Sequence, residues 1–386
     1  MLADLEESLR KRRAQGLWRE RRVLDSAQGA RIRIGDREYV SFASNDYLGL
    51  ANRPELVEAA CAGARRFGVG AGASHLVVGH QEPHEALEQE LAQFVAPCAG
   101  ARAVTFSSGY LANLAILTTL AGRHDTIVAD RLNHACLVDG ALLARAKLVR
   151  YPHLDLRAAE RALAAAPGRR VLATDAVFSM DGDLAPLPDL LALADACDAW
   201  LVVDDAHGFG VLGEGRGSLA HFGIASERIV YMGTLGKAAG VAGAFVAAHP
   251  AVIESIVQTA RPYIYTTAAP ALLAHALRGA LTLVRDGARE RAHLASLVAA
   301  FREAARELPW SLLPSATPIQ PLVVGDAATT VRISRALERE GLLVPAIRPP
   351  TVPAGTSRLR VSLSAAHAHD DVRALTRALG RVAADA

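Results

Sequence analysis

The run Trp200-Leu201-Val202-Val203-Asp204-Asp205-Ala206-His207, followed by Gly233-Thr234-Leu235-Gly236-Lys237, brings an acid, an imidazole and an amine within a short span of chain. Four apolar or aromatic residues ahead of an acid read as a strand buried on both faces, ending in a carboxylate that must be paired or functional. Ligands of open α/β sheets bind outside the carboxyl ends of the strands, so Asp204 and His207 are expected to point into a site. Lys237, alone among uncharged neighbours, is a natural trap for a carbonyl. The three groups in this order fit pyridoxal phosphate, an electron sink that joins a lysine as a Schiff base and needs an acid partner for its pyridine nitrogen. Asp204 would be that partner and His207 would reach the ring hydroxyl. An apolar setting beside a cationic ring would lower the lysine pKa toward the nucleophilic amine. Taken singly the features are bland: a buried strand-end aspartate is more often a structural cap, and a lysine in a Gly-rich loop usually reaches solvent. Their joint occurrence favours the cofactor.

The elements that must hold these groups alternate strand and helix signals, as an α/β chain with a mostly parallel sheet does. Strands are expected at 103–106, 126–129, 171–174, 201–204, 229–232 and 244–248. The first breaks at Ser107-Ser108-Gly109 into a helix over 110–120, whose free N–H groups and positive dipole end suit a phosphate, although an ordinary serine cap has the same pattern. His134, in the loop after Asp130, can stack on a planar ring or simply lie exposed. Ser179, before the Gly182 turn, can reach a cofactor, and Thr234 can hold its phosphate from the loop of Lys237. Beyond Pro270 the pattern is helical over 271–308, and a smaller α+β unit follows with strands at 319–324, 342–347 and 359–363. Three units are expected: an N-terminal helical arm (1–45), a large cofactor-binding domain (46–280) and a small C-terminal domain (281–386). The proline-rich loop from Arg348 to Thr356 fixes where its polar groups point. Arg360 on the next strand has a fork suited to a carboxylate, or is an ordinary surface arginine.

The chain has 386 residues, 51% of them hydrophobic, enough for a sizeable core. Its 42 basic and 40 acidic residues leave a net charge of +2, so no global field recommends nucleic acid or a membrane as partner. Cys61, Cys98, Cys136 and Cys197 are scattered without a CxxC pair, which fits free thiols in a reducing cytoplasm. No uncharged stretch reaches the roughly 20 apolar residues of a membrane span. Arginines between positions 10 and 22 suggest a targeting peptide, but transit peptides are poor in acids and Asp4, Glu6 and Glu7 lie ahead of them; Leu2, Leu5 and Leu9 at helical spacing predict a docked amphipathic helix instead. Those arginines form either a solvated face or a phosphate contact. Tyr231 and Ala238 break the Walker pattern around Lys237, and no GxSxG elbow occurs. His75, His80 and His84 lack the HExxH spacing, so no metal is expected.

The whole chain resembles the α-oxoamine synthases, fold type I pyridoxal phosphate enzymes. The resemblance rests on Ser44-Asn45-Asp46-Tyr47-Leu48-Gly49-Leu50, Asp130-Arg131-Leu132-Asn133-His134-Ala135, Val177-Phe178-Ser179-Met180-Asp181-Gly182-Asp183, Val203-Asp204-Asp205-Ala206-His207-Gly208 and Thr234-Leu235-Gly236-Lys237. The segment from Ile347 to Thr356, with Arg358-Leu359-Arg360, is similar to the 8-amino-7-oxononanoate synthases among them. The resemblance implies a large pyridoxal phosphate domain with a smaller C-terminal one. It implies a cytoplasmic homodimer of biotin biosynthesis that condenses L-alanine with pimeloyl-CoA or pimeloyl-acyl carrier protein, releasing carbon dioxide and the free thiol carrier. It further implies that Lys237 holds the cofactor and moves the α-proton, that Asp204 pairs the ring nitrogen and His207 the ring hydroxyl, and that His134 stacks on the ring. Ser179 and Thr234 would contact the cofactor, with Gly109 and Tyr110 at its phosphate and Thr266 and Thr267 approaching from the second subunit. Asn45 and Arg360 would bind the amino-acid carboxylate, with His134 also at the substrate, and Arg21 and Thr351 would touch the acyl donor. Tyr110 in place of Phe, Ala238-Ala239 in place of Gly-Phe, and His75-Leu76 in a Gly/Ser-rich stretch depart from relatives and bear on acyl-chain fit. A sister acyltransferase making aminoketobutyrate, aminolevulinate or a sphingoid base is the alternative. A non-catalytic partner subunit is a third reading, against which Lys237 argues.

Overall fold

The computed structural model describes residues 1–15 and 17–384. A seven-stranded sheet forms its centre, built from β3 (Arg102–Phe106), β4 (Thr126–Asp130), β5 (Lys147–Tyr151), β6 (Arg170–Asp175), β7 (Ala199–Asp204), β8 (Ile229–Thr234) and β9 (Ala244–Ala248) in the spatial order β3-β9-β8-β7-β6-β4-β5. Strands β4 to β8 run parallel, and β9 runs antiparallel to both of its neighbours, β3 and β8. β4, β8 and β9 are buried along their whole lengths, which explains why the central strands read as unbroken apolar runs: helices cover both faces. β5 escaped the sequence reading because it is the sheet edge. Lys147 and Arg150 face solvent there, and charge on an edge strand also blocks unwanted pairing.

Two smaller sheets flank this one. β10 (Ser311–Leu312), β11 (Ile319–Gly325), β13 (Ala346–Ile347) and β14 (Ser357–Ser362) form one in the order β10-β11-β14-β13. The antiparallel pair β1 (Arg31–Ile34) and β2 (Arg37–Ser41) is extended by β12 (Leu342–Leu343), parallel to β2, to form the other. Four expectations change here. The strand expected at 342–347 is two short ones in different sheets, because Pro345 between them lacks the N–H a continuous ladder needs. The helical run over 271–308 is two helices, Ala271–Asp286 and Ala288–Ala305, broken at Gly287, and the first carries straight through residue 280. The segment 1–45 is helical only over Leu2–Ala14; its second half is the β1-β2 hairpin, joined to residues 342–343. The N-terminal helix forms but buries no residue: Leu2, Leu5 and Leu9 stay 71%, 63% and 47% exposed, so no docked face exists within this chain. Among the described residues no helix is long and apolar enough to cross a membrane.

Candidate active site

The carboxyl ends of β6, β7 and β8 converge on a cavity of about 200 Å3. Gly109, Tyr110, His134, Ser179, Asp204, His207, Thr234 and Lys237, which the sequence singled out from five separate stretches, all line it. Asp204 is the last residue of β7, and the backbone beyond it turns at once: Ala206 N–H donates to Asp204 Oδ1 at 3.0 Å, and the Asn113 amide donates to Oδ2 at 2.7 Å. The next acid holds the turn that carries His207. Fully buried Asp205 accepts from Ser218 N–H at 2.6 Å, from the Ser218 hydroxyl and from Tyr231 Oη at 2.9 Å. Burial pushes the Asp205 carboxyl up to about 7, and those three donors oppose the shift. A Cβ on Gly208 or Gly217 would stand 2.1 or 2.2 Å from an Asp205 oxygen, so the loop closes this tightly only with glycine there.

Lys237 follows β8 in a turn closed by Gly240 N–H on its own carbonyl at 2.9 Å. Gly240 has φ +71° and passes so close to Leu50 and Ala51 that a Cβ would lie 2.7 Å from their backbone. Asp46 stiffens that contact by accepting the N–H groups of Leu50 and Ala51 at 2.8 and 3.1 Å. The Ser44–Leu50 motif is therefore a brace for the lysine turn. It is also a relay. Lys237 Nζ lies 2.9 Å from His207 Nε2, His207 Nδ1 lies 2.6 Å from Tyr47 Oη, and Tyr47 Oη lies 3.2 Å from Asn45 Oδ1. Arg360 donates to the same Asn45 oxygen at 3.2 and 3.3 Å.

Burial drives the charge states in this chain of contacts. Desolvation lowers Lys237 from 10.5 to about 8, although Asp204 and Asp175 pull the other way. Desolvation also holds His207 well below the usual imidazole range, with Lys237 and Arg360 adding to the effect. A neutral His207 accepts from the lysine at Nε2 and donates from Nδ1 to Tyr47, whose hydroxyl then donates to Asn45. Every group is satisfied in that direction. The apoprotein is accordingly expected to take up pyridoxal phosphate faster as pH rises through about 8, since only the deprotonated amine attacks an aldehyde. Visible absorbance followed after mixing, across a pH series, checks this; a rate flat through that range would remove the buried amine from the rate-setting step.

Further residues belong to the cavity that the sequence reading passed over. The register of β6 on β7 sets Asp175 beside Asp204, and Asp175 ends its strand as Asp204 does, so the rule that found one also finds the other. Burial, and then the neighbouring Asp204, raise the Asp175 carboxyl well above its ordinary value. Its Oδ2 accepts His134 N–H at 3.0 Å, while its buried Oδ1 has no hydrogen-bond partner among the described residues. Cys136 lies 2.8 Å from His134 Nδ1, with its thiol pushed up to about 12 by burial. No local pattern marks Asn113, which reaches Asp204 from inside the helix Gly109–Leu120.

The remaining predicted residues lie elsewhere. Asn45 and Arg360 do not line the cavity; they join it through Tyr47 and His207 and, for Arg360, through the Ser179 carbonyl. Arg360 is 6% exposed, donates to Ser179 O and Ser362 Oγ, and has no carboxylate within 4 Å among the described residues, whereas its neighbour Arg358 is ion-paired with Asp181. Thr351 lines an adjoining cavity of about 300 Å3, with Phe178, Met180, Leu313 and Val352 among its walls. Arg21 is exposed on the surface. Thr267 lines a separate cavity beside Ser107 and Leu235, and the Thr266 hydroxyl donates to the Thr267 carbonyl at 3.5 Å; neither threonine lines the Lys237 cavity of its own chain. His75, His80 and His84 do cluster away from the lysine, but both ring nitrogens of His84 are bonded to backbone, at Gln81 N–H and Ala269 O.

The donor set suits pyridoxal phosphate. It offers a desolvated amine, a carboxylate 5% exposed at the carboxyl end of the central strand β7, an unpartnered buried oxygen on Asp175, and the Gly109 and Tyr110 N–H groups at a helix start, where Ser108 Oγ accepts only from Leu111. A family profile described as "Aminotransferase class I and II" matches residues 37–379. An 8-amino-7-oxononanoate synthase of Nitrosospira multiformis is 57% identical over 99% of this chain and 96% of its own length. The solved serine palmitoyltransferase of Sphingomonas wittichii superposes with a TM-score of 0.93 over 100% of this chain and 98% of that one, at 28% identity. The solved 8-amino-7-oxononanoate synthase of Francisella tularensis gives 0.78 over 90% and 97%, at 31% identity. Shape and identity rank the two branches differently, and identity decides between them, because sister enzymes share a backbone and differ in the side chains that choose substrates. The chain thus belongs to the aminotransferase class I and II family and, within it, to the 8-amino-7-oxononanoate synthases.

Proposed function

We propose that this chain is a pyridoxal phosphate-dependent acyltransferase that condenses L-alanine with a pimeloyl thioester, forming 8-amino-7-oxononanoate, carbon dioxide and the free thiol carrier on the route to biotin. One observation carries the reading: the relay from Lys237 through His207, Tyr47 and Asn45 ends at a buried arginine with no carboxylate of its own. A buried cation without a counter-ion is costly, so the site awaits an anion, and the α-carboxylate of an amino acid there sets its α-carbon near the lysine.

Bound in the cavity, the cofactor supplies an electron sink for bond breaking at the substrate α-carbon. Asp204 would pair with the ring nitrogen and favour its protonated form. His134 would stack on the ring, His207 would meet its hydroxyl, and Ser179 would contact the cofactor. The Gly109 and Tyr110 N–H groups and Thr234 would hold the phosphate, assisted by Thr266 and Thr267 of the partner subunit in a homodimer. Lys237, with its pKa near 8, takes the α-proton and returns it, while neutral His207 keeps the amine oriented. Asn45 and Arg360 orient the amino acid through its carboxylate. The acyl chain lies in the apolar cavity beside Thr351, which Met180 and Asp181 connect to Ser179. Arg21 guides the donor from the surface. The large sheet supplies the reacting groups, and the C-terminal β11-β14-β13 sheet and its loop supply Arg360 and the Arg348–Thr356 segment.

Release of free thiol, measured with alanine, glycine and serine each crossed with pimeloyl, acetyl, succinyl and palmitoyl donors, tests the reading. Alanine with pimeloyl is expected to lead. A single methyl in the amino-acid pocket contributes only about 1 to 3 kcal/mol, so glycine should be roughly 10- to 200-fold slower rather than inert. Faster turnover with glycine, or with serine and palmitoyl, would transfer the chain to a sister activity.

A further inference from the structure

The Arg348–Thr356 loop faces two cavities. Thr351, Val352 and Pro353 line the apolar one next to Ser179, while Arg348 and Pro349 line another of about 680 Å3 on the outer side. Its opposite wall is the helix Ala327–Arg339, which contributes Arg332, Arg335 and Arg339. Spacings of three and four residues put these three on one helix face. With Arg348 they bring four guanidinium groups to a single solvent space that no carboxylate lines. The acids on the same stretch are engaged elsewhere: Asp326 caps the helix by accepting Thr329 N–H at 2.7 Å, Glu338 is held by Arg22 at 2.8 Å, and Glu340 is ion-paired with Arg381. Among the described residues none of the four arginines is within 4 Å of a carboxylate oxygen. Four uncompensated like charges around one opening focus a positive potential, and planar forks match phosphate oxygens two at a time. The overall charge of only +2 makes this concentration local.

Resting on the condensation reading, we propose that this arginine-lined cavity binds the phosphate groups of the pantetheine-bearing carrier that delivers the acyl thioester. The thioester sulfur and the phosphate lie at opposite ends of the pantetheine arm. The loop lines both cavities, so an arm anchored at the arginines passes over Pro349 and Thr351 and delivers the acyl chain to the apolar cavity. Arg358 is paired with Asp181 and buried Arg360 serves the amino-acid carboxylate, so exposed Arg332, Arg335 and Arg339, with half-buried Arg348 beside them, are left for the solvent-facing end of the donor.

The test compares two donors on the holoenzyme: pimeloyl-CoA and the pimeloyl thioester of N-acetylcysteamine, which lacks every phosphate. Wild-type kcat/KM is expected to favour pimeloyl-CoA by at least about tenfold, with the advantage shrinking as salt is added. In Arg332→Gln/Arg335→Gln that ratio should fall toward one, and the truncated donor, served by the same folded site, is the control for folding. A ratio unchanged in the double variant overturns the proposal. Repeating the comparison with pimeloyl-acyl carrier protein separates the sources: loss with both carriers assigns the cluster to the phosphodiester heading the arm, and loss with coenzyme A alone assigns it to the nucleotide phosphates. If wild type releases thiol from no donor, the condensation reading fails by itself. Calorimetric titration with coenzyme A then decides the site, binding that the double variant loses supporting it and no binding by wild type overturning it.

Discussion

Lys237→Ala is expected to abolish condensation, lowering kcat by at least about 10⁴-fold, and to eliminate the visible absorption gained when cofactor joins the protein. The loss is large because one amine has two tasks. It must capture the cofactor aldehyde, which burial permits by bringing its pKa to about 8, and it must then move a proton at the substrate α-carbon from a position 2.9 Å from His207 Nε2. Acid–base catalysis alone contributes about 10²- to 10⁴-fold, and loss of the covalent anchor adds to that. Alanine removes little that the fold needs, since the turn is closed by backbone, Gly240 N–H on the residue 237 carbonyl. Turnover within tenfold of wild type, in protein shown by mass to carry the substitution, would end the case for this lysine.

Asp204→Asn should keep the protein folded and able to take up pyridoxal phosphate, yet lower kcat by about 10³-fold. The side chains have the same shape and differ in charge, and charge is what holds the ring nitrogen protonated. A secondary cost follows from geometry. Asp204 offers two acceptor oxygens, one to Ala206 N–H and one to the Asn113 amide, and an asparagine has one oxygen for two donors. Leaving a buried donor unmatched costs about 1–3 kcal/mol, which a thermal melt will report apart from the kinetic loss. Near-normal turnover with a lowered melting point would reduce Asp204 to a structural cap, the ordinary role of a strand-end acid.

Eight residues of the Lys237 cavity were legible before the fold was seen, because each sits where a local pattern ends: a strand reaching its acid, a serine-glycine break before a helix, a lysine after a glycine. The same logic located most of the parallel sheet and missed β5, whose edge position allows charges where central strands need apolar residues. It also merged β12 with β13 and ran two helices together across Gly287, since composition reports the tendency of a segment and not the partner it will meet. The Tyr47 contact to His207 spans 160 residues and the Arg360 contact to Asn45 spans 315, so no periodicity could announce either.

By itself the order of residues determined the chemical inventory and the strand-helix alternation that carries it, since hydrophobic period and turn chemistry act over a few neighbouring residues. Only the tertiary structure decided which of those groups meet. Sheet register set Asp175 against Asp204, the Gly240 contact with Leu50 and Ala51 brought the Ser44–Leu50 brace under the lysine, and chain folding over hundreds of residues enclosed Lys237 and His207 in a packed interior that weakens the hold of amine and imidazole on their protons. Desolvation is a property of the packed interior, and an isolated stretch of chain in water has none of it.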